Sequence, residues 1–358
     1  MNQQLPEPHE YDSIVLMSFG GPNGPDDVIP FLENVTRGRG VPRERLEEVA
    51  EQYTMFGGKS PINEQNLALM DALRTELDEH GIELPLYWGN RNWDPFIADT
   101  AAEMVAAGHR RALAVVTSAF SSYSGCRQYR EDFGRATDAV DGALTFHKIR
   151  AFWHHPGYIE TMTDRVVDAF ESLADDERGA ARIVYTAHSL PNSMAATSDY
   201  VAQLEDAAAL VTAAVAERTG LSPDQVLVYQ SRSGPPQVPW LEPDIVDHLE
   251  ASVADGDDRP VVLVPVGFIS DHQEVKFDLD TQAREVADGL GLTMVRAATA
   301  GTHPRFVSML RELIEERLGD DGVRVSIGGL PPRPDQCPQD CCPAPQRPAG
   351  AGRPGRPG

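Results

Sequence analysis

Residues 182–191 read RIVYTAHSLP, and residues 260–280 read PVVLVPVGFISDHQEVKFDLD. Each stretch begins with a continuous apolar run and then changes to polar residues. Continuous apolar runs of this length are typical of strands buried on both faces of a parallel sheet. Because ligands bind beyond the carboxyl ends of such strands, the polar residues that follow are the first candidates for a functional site.

Similar apolar runs recur along the chain and alternate with helical patterns. The eight predicted strands cover 13–19, 84–89, 112–118, 144–151, 182–187, 225–230, 260–268 and 292–297. Strand–helix alternation indicates βαβ units, and therefore a doubly wound α/β fold. Since the strands fall into two sets of four, we predict two similar Rossmann-like lobes, each with a four-stranded parallel sheet, with a cleft between them.

We predict four segments: a flexible N-terminus over 1–10, a first lobe over 11–153, a second lobe over 154–320 and a C-terminal extension over 321–358. The extension is rich in Pro and Gly and can bury little apolar surface, so it should be extended or disordered. It also carries three cysteines, which suggests that something fixes its first half.

The composition limits the function. Of the 358 residues, 41% are hydrophobic and 24% charged, as in an average globular protein. The sequence has neither an apolar run long enough to span a membrane nor the pattern of a secretory signal at its N-terminus. A formal net charge of −24 repels nucleic acid. We therefore expect a cytoplasmic protein without a nucleic-acid partner.

Two glycine-rich stretches lie in the first half, FGGPNGP at 19–25 and GGKS at 57–60. Neither has the spacing of a dinucleotide-binding or P-loop motif. Each is compatible with a simple tight turn or with a loop that binds an anion on its backbone N–H groups.

His188 follows the predicted strand 182–187 directly. Imidazole exchanges protons near neutral pH and also ligates metals, so a histidine at the end of a buried strand is a candidate for either role. The alternative is a histidine that merely caps a turn.

Acidic residues follow the strand 260–268. In a helix starting near Ser270, Asp271, Glu274 and Asp278 lie on one face, which suits a divalent cation or a proton path. The alternative is an N-cap at Ser270 with acidic residues in the first turn and on a solvated face.

The first half offers a candidate ligand wall. Residues 118–126, SAFSSYSGC, follow a buried strand and combine hydroxyls with aromatic rings, and Arg37 and Arg39 supply cations that match carboxylates. A surface turn is the alternative for the arginines.

Together these pieces resemble the ferrochelatases, which insert Fe(II) into a porphyrin. The resemblance runs over roughly residues 11–320, and its matching motifs occur in family order. They are VLMSFGGP (15–22), YTMFGGKSPI (53–62), SYSGCRQYRE (122–131), TAHSLP (186–191), QSRSGPPQVPWLEP (230–243) and VPVGFISDHQEVKFDLD (264–280).

The resemblance implies roles for individual residues. His188 matches the family's active-site histidine, which accepts pyrrole protons, contacts the substrate iron, or both. Glu274 matches its acidic partner across the porphyrin and shares the contact with the iron, and Asp278 matches the next member of an acidic row. Gln282 stands where many members have Glu, which weakens the outer end of that row.

On the porphyrin side, the matching residues are Phe19, Arg37, Ser60 and Tyr123. Phe19 matches a family position near the porphyrin face. Because phenylalanine has no side-chain oxygen, it cannot supply an axial oxygen ligand to the metal from that position. Arg37, Ser60 and Tyr123 match positions near the propionates and the rim of the macrocycle.

Some ferrochelatases carry a [2Fe–2S] cluster on one internal and three C-terminal cysteines. Here Cys126, Cys337, Cys341 and Cys342 match that set and supply the four thiolates such a cluster needs. Adjacent Cys341 and Cys342 would need a sharp local turn. Zinc or free thiols are the alternatives.

The first-half motifs resemble the actinobacterial branch, whose substrate is coproporphyrin III. The resemblance predicts formation of Fe-coproporphyrin III and two protons in heme biosynthesis, by a monomer that transiently contacts the next enzyme of that pathway. Three alternatives remain: a protoporphyrin IX ferrochelatase, a cobalt chelatase acting on a sirohydrochlorin-type precursor, and a non-catalytic tetrapyrrole carrier.

Overall fold

Eight parallel strands form two four-stranded sheets. The structure, a computed structural model, describes residues 11–234, 237–319 and 323–345. The first sheet has the order β2-β1-β3-β4 and the second the order β6-β5-β7-β8, so the prediction of two similar four-stranded lobes is confirmed. The strands are β1 (Ser13–Ser18), β2 (Leu86–Asn90), β3 (Arg111–Val116), β4 (Thr145–Lys148), β5 (Arg182–His188), β6 (Gln225–Gln230), β7 (Val261–Val264) and β8 (Met294–Arg296).

The central strands behave as their apolar runs predict. β1 is buried along its whole length, and β5 is buried except at its last residue, His188. In the second sheet His188 pairs with Gln230 of β6, and Tyr185 pairs with Val264 of β7. Burying one Val, Leu or Ile side chain contributes roughly 1.5–3 kcal/mol, so these strands anchor their lobes firmly.

Helices cover both faces of the sheets. They are α1 (Pro25–Val35), α2 (Arg43–Thr54), α3 (Ile62–Glu79), α4 (Ile97–Ala106), α5 (Gln128–Ala139), α6 (Pro156–Glu171), α7 (Asp175–Arg178), α8 (Asn192–Ala195), α9 (Tyr200–Thr219), α10 (Ile245–Ala254), α11 (Arg284–Gly289) and α12 (Pro304–Leu318). Two further segments, Tyr123–Arg127 and Val275–Ala283, are π-helical. Among the described residues, no helix is both long and apolar enough to span a bilayer.

One apolar core continues from the first sheet into the second. It includes Ile14 and Leu16 of β1 together with Tyr185 of β5 and Val264 of β7. The last helix, α12, also reaches the first lobe, where Arg311 Nε donates to Glu76 Oε1 of α3 at 3.0 Å. The lobes therefore share packing, and the boundary at residues 153 and 154 stays a prediction.

The C-terminal extension is fixed to the body, as its cysteines suggested. Over residues 323–345 it forms neither helix nor strand. Arg150 Nη2 donates to the Val325 carbonyl at 2.7 Å, and Ile327 N donates to the His154 carbonyl at 3.0 Å. Residues 1–10, predicted to be flexible, and the tail 346–358, predicted to be disordered, lie outside the described residues.

Local structure departs from the sequence pattern in two places. The stretch that holds α1 and α2 was not predicted to be helical. Pro30 lies inside α1 and lacks the backbone donor of a helical residue, but burial of Phe31 and Leu32 stabilises the helix nevertheless. The helix predicted to start near Ser270 is, in the structure, a π-helical segment followed by α11.

Candidate active site

His188 lies at the carboxyl end of β5, with its side chain 30% exposed. Its Nδ1–H donates to the Ser189 carbonyl at 2.5 Å, which fixes the ring orientation. The other ring nitrogen, Nε2, lies 3.5 Å from Glu274 Oε1. His188 and Glu274 are thus in direct contact, which leaves no room for a porphyrin between them, unlike the arrangement across the ring that the family resemblance implies.

The two groups shift each other's pKa. Burial alone would lower the pKa of His188, but the Glu274 carboxylate, the Ser189 carbonyl and Asp278 raise it to about 9. Burial would likewise raise the pKa of Glu274, but the facing imidazolium lowers it to about 2. At neutral pH the pair is therefore a protonated imidazole beside an ionised carboxylate.

Asp278 lies in the π-helical segment Val275–Ala283, one turn after Glu274. Ser231 Oγ donates a hydrogen bond to Asp278 Oδ2, and Gln230 Nε2 lies 3.5 Å from the same oxygen. Burial and the negative charge of Glu274 raise the pKa of Asp278 to about 7. Asp278 is thus a carboxyl group that exchanges a proton near neutral pH, unlike an ordinary aspartate.

The turn that supplies Ser231 is strained. Ser231 has a backbone φ of 62°, in the left-handed region that non-glycine residues adopt at a cost of about 1–3 kcal/mol. Its conformation aims the hydroxyl at Asp278 directly after β6 ends at Gln230. Strain of this kind is common where a side chain must be held for function.

Asp271 does not belong to the acidic row, contrary to the sequence prediction. Its carboxylate accepts from Arg296 Nη2 at 3.1 Å and from Thr299 Oγ1 at 3.2 Å. The helix starts after Asp271, so the spacing expected from a start at Ser270 does not apply. The row on this face begins at Glu274.

His272 also contacts Glu274. His272 Nδ1 accepts from Glu274 N at 3.2 Å, and the same nitrogen is 3.9 Å from Glu274 Oε2. Burial lowers the pKa of His272.

The first lobe reaches this site through aromatic side chains. Phe19, which is 38% exposed, packs edge-on against Phe31 at 6.2 Å, and Phe31 packs against Tyr53 at 6.0 Å between ring centroids. Burial and the nearby charge of Glu274 raise the pKa of Tyr53. The aromatic row from Phe19 therefore ends next to the carboxylate of the second lobe.

Two hydrogen bonds also connect the lobes at this junction. Gln273 Nε2 donates to the Gln52 carbonyl at 2.8 Å, and Asp271 N donates to Gln65 Oε1 at 2.8 Å. The helices α2 and α3 of the first lobe thus hold the loop that carries Glu274. The site lies where the two lobes meet.

The other predicted substrate residues have partners within the first lobe. Ser60 is buried against Gly21, where a Cβ would come within 2.7 Å of the Ser60 Cβ, so the two glycine-rich stretches pack on each other as turns. Tyr123 OH donates to Glu131 Oε2 at 3.2 Å, and the exposed Arg37 donates to Asn34 Oδ1. Their contacts with a porphyrin remain predictions.

The four cysteines come together at the extension. Cys337 donates a thiol hydrogen bond to Cys126, which lowers the pKa of Cys126 and raises that of Cys337. Cys341 Sγ lies 3.6 Å from Cys342 Sγ, and Cys342 has the left-handed φ of 49° that a sharp turn requires. Within the described ranges, no group of three or more His, Cys, Asp or Glu side chains is arranged so that it could hold a metal ion.

Comparison with known sequences identifies the family. The ferrochelatase family profile matches residues 11–318, which include both lobes. The chain belongs to the ferrochelatase family. The site at His188 therefore lies in a ferrochelatase-type protein, and the family resemblance drawn from its motifs is confirmed.

Among its relatives, the coproporphyrin III ferrochelatase of Streptomyces coelicolor is 51% identical, over 96% of each chain. The coproporphyrin III ferrochelatase of Frankia alni is 52% identical over 94% of this chain and 87% of that protein. A ferrochelatase of Rhodopirellula baltica is 51% identical over 97% of each chain.

The fold also matches a solved chelatase structure. The sirohydrochlorin chelatase SirB from Bacillus subtilis subspecies spizizenii, in complex with cobalt, aligns with a TM-score of 0.51 at 8% identity. The alignment covers 88% of this chain and 98% of SirB. This likeness supports the α/β chelatase fold.

Three residues of this ferrochelatase-type site were missed from the sequence. Gln230 and Ser231 follow β6 directly, so the rule that polar residues after a buried strand form the site could have found them. Tyr200 OH donates to the His188 carbonyl at 3.1 Å, but Tyr200 comes twelve residues later in a helix, and periodicity gives no sign of that contact.

Proposed function

We propose that this protein inserts Fe(II) into coproporphyrin III, giving Fe-coproporphyrin III and two protons. The observation that carries the proposal is the His188–Glu274 pair at the junction of the lobes, with Asp278 one turn behind it. Relatives about half identical over nearly the whole chain are named coproporphyrin III ferrochelatases, which supports this porphyrin as the substrate.

The chemistry requires a base for two pyrrole N–H protons, because the metal replaces both. His188 accepts a proton only in its neutral form. The Glu274 carboxylate raises its pKa, so the empty site holds the ring protonated. A divalent cation that binds Glu274 cancels that negative charge and lowers the pKa of His188. Metal arrival at Glu274 therefore prepares His188 to accept a pyrrole proton.

Asp278 is suited to receive the proton that His188 gives up. Its pKa of about 7 is close to the operating pH, the condition under which proton transfer is most effective. Ser231 and Gln230 hold the carboxylate in place for this transfer.

We place the porphyrin face against Phe19, whose exposed ring lies at the end of the aromatic row that leads to Glu274. We assign Arg37, Ser60 and Tyr123 to the propionates and the rim of the ring. A substrate with four carboxylates needs local cations in a protein of net charge −24, and Arg37 supplies one on the exposed surface of the first lobe.

We also propose that Cys126, Cys337, Cys341 and Cys342 hold a [2Fe–2S] cluster. The thiols fit such a group, because two thiolates on one tetrahedral metal at about 2.3 Å lie about 3.7 Å apart, close to the Cys341–Cys342 separation of 3.6 Å. The hydrogen bond between Cys126 and Cys337 forms the second pair. A bound cluster supplies one-electron redox chemistry, which metal insertion itself does not require.

An anaerobic insertion assay tests the proposed reaction. Fe(II) is added to coproporphyrin III and, separately, to protoporphyrin IX, and the loss of free-porphyrin fluorescence is followed with time. We expect turnover of coproporphyrin III. Turnover of protoporphyrin IX alone would reverse the choice of substrate, and tight binding of both without turnover would identify a carrier.

Absorption spectra test the cluster. Cys126→Ser should remove the visible iron–sulfur absorbance of protein purified without air. Ser198→Ala, at a half-buried serine that lines a cavity together with Cys337, Cys341 and Cys342, serves as the control. Unchanged absorbance in Cys126→Ser would remove that residue from the ligand set, and stoichiometric zinc without iron would replace the cluster by a zinc site.

The same proposal describes a cytoplasmic monomer that contacts the next enzyme of the heme pathway for product transfer. Analytical ultracentrifugation of the protein should give a single species near the mass of one chain, and a dimer at micromolar concentration would contradict this.

A further inference from the structure

The first turn of α9 connects three separate parts of the molecule. Its Tyr200 is buried, and the phenol donates to the backbone carbonyl of His188 at 3.1 Å. The Tyr200 ring also packs edge-on against Phe120 at 6.3 Å. A shift of this turn therefore moves the backbone to which the His188 imidazole is attached.

Gln203, in the same turn, is fixed to the loop that leads to Cys126. Its Oε1 accepts from Ser121 N at 2.7 Å, and its Nε2 donates to Ser121 Oγ at 3.1 Å. Gln203 is 1% exposed, so both hydrogen bonds are shielded from water. The loop continues into the π-helical segment, where Cys126 N donates to the Ser122 carbonyl at 3.0 Å.

Asp199, directly before α9, is tied to the C-terminal extension. An aspartate at this position ordinarily caps the helix, but the Asp199 side chain makes no capping hydrogen bond. Instead, Arg333 Nη1 donates to Asp199 Oδ2 at 2.5 Å. The Nη2 group of the same guanidinium lies 3.5 Å from Cys341 Sγ.

These contacts form a continuous link from the cysteines to the imidazole. We propose that Arg333 is a positioning residue for His188, acting through Asp199 and Tyr200. The inference rests on the proposed function for its effect on turnover, but its effect on the His188 backbone does not depend on that function. It implies that the state of the four thiols changes the environment of His188, because Arg333 contacts both Cys341 and Asp199, which directly precedes the turn that holds the His188 backbone.

The test replaces Arg333 with Met, which keeps the length of the side chain and removes the charge. The matched control is Arg324→Met, since Arg324 is also in the extension but pairs with Asp335 and Glu316, away from α9. Arg333→Lys keeps the charge and should restore part of the effect. Two measurements are made: hydrogen–deuterium exchange of the peptide that contains residues 186–190, and the pH profile of kcat.

We expect faster exchange of that peptide in Arg333→Met than in Arg324→Met. We also expect a kcat lower by about fivefold, the size for one partly exposed ion pair, with KM for the porphyrin unchanged. The pH midpoint assigned to His188 should move down, because a displaced ring loses part of its contact with Glu274. Equal exchange and equal pH profiles in the two Met variants would overturn the proposal.

Arg333→Met can also disturb the cysteines, so Asp199→Asn is measured in parallel. It breaks the same ion pair but leaves Arg333 next to Cys341. Faster exchange around His188 with unchanged visible absorbance supports the proposal, and wild-type exchange overturns it. Absence of turnover in the wild-type protein would refute the proposed function, while the exchange data would still decide the role of Arg333.

Discussion

The two lobes have the same strand order but different residues at the carboxyl ends of their strands. In the first lobe, β1 leads into Phe19 and two glycines, and β3 leads into residues 117–122, TSAFSS. In the second lobe, β5 ends at His188 and β6 at Gln230. The same architecture thus presents an aromatic and hydroxyl wall in the first lobe and titratable groups in the second lobe.

The difference shows that sheet topology fixes where a site lies, while a few loop residues decide its chemistry. The shifted pKa values of His188, Glu274 and Asp278 all belong to the second lobe. The first lobe meets them across the junction, where Glu274 raises the pKa of Tyr53 and the Gln52 carbonyl accepts a hydrogen bond from Gln273. Substitutions in the second lobe should therefore change rates, and those in the wall should change binding.

The largest effect is expected for His188→Ala. Loss of the proton acceptor should lower kcat for metal insertion by about 100- to 10,000-fold, while porphyrin binding changes little. Steady-state insertion rates and fluorescence titration with porphyrin measure the two quantities. His80→Ala, an exposed histidine at the end of α3, is the control. A rate within tenfold of wild type would show that the second lobe does not carry out the chemical step.

Glu274→Gln should lower kcat by about 100-fold, because it removes the carboxylate that binds the arriving Fe(II) next to His188. Without the negative charge of Glu274, only the Ser189 carbonyl and Asp278 oppose the effect of burial, so the pKa of His188 should fall from about 9. NMR titration of the imidazole measures this. The exposed Glu250→Gln in α10 should leave the pKa unchanged. A His188 pKa still near 9 would contradict the coupling.

Asp278→Asn should lower kcat by about tenfold and also stabilise the fold. Folding raises the pKa of Asp278 from 3.8 to about 7, so the native state binds a proton more tightly than the unfolded state. Stability therefore falls as pH rises between these values. Removing the carboxyl should raise the Tm by about 1–3 °C at pH 8 and by less at pH 5.

Thermal unfolding followed by circular dichroism at both pH values checks this prediction. Asp247→Asn, an exposed aspartate of α10, removes the same charge outside the site and should show neither effect. An equal Tm change at pH 5 and pH 8 would show that burial does not raise the pKa of Asp278.

The smallest effect on kcat is expected for substitutions in the aromatic and hydroxyl wall of the first lobe. Phe19→Ala should raise KM for the porphyrin by about tenfold, since it removes an exposed apolar contact, and should change kcat by less than about threefold. Phe19→Leu keeps most of the apolar volume and should behave like wild type. A large loss of kcat in Phe19→Ala would mean that the first lobe contributes to the chemical step and not only to porphyrin binding.

The sequence predicted the strands well because their signal is local. The run at β5 is apolar throughout, and burial on both faces of the sheet is the physical cause of that pattern. The same rule placed His188 correctly, since it follows the run directly. The position of Glu274 beside it came from the family resemblance, because 86 residues of chain separate the two and only the tertiary fold brings them together.

Features that depend on tertiary contacts were missed. Asp271 and Glu274 fit one helical face by spacing, but Arg296 and Thr299, which are distant in sequence, bind Asp271 and keep it out of the row. The helix α1 was missed because Pro30, in its interior, opposes helix formation locally, whereas Phe31 and Leu32 are buried in the folded protein. The π-helical segment that carries Asp278 differs from an α-helix in its backbone hydrogen bonds, and no residue type in the segment specifies that difference.

The C-terminal extension returns to the first lobe across a long stretch of chain. Arg127 of the first lobe donates to the Gln339 carbonyl, a contact between positions 212 residues apart. With one cluster on Cys126 and Cys337, the intervening chain, including all four strands of the second sheet, becomes a covalently closed ring. Closing a ring of this size reduces the entropy of the unfolded chain, which stabilises the folded state by about 5 kcal/mol. The metal of the cluster would then act as a cross-link far from the active site. It would keep the second lobe folded without contacting the porphyrin substrate.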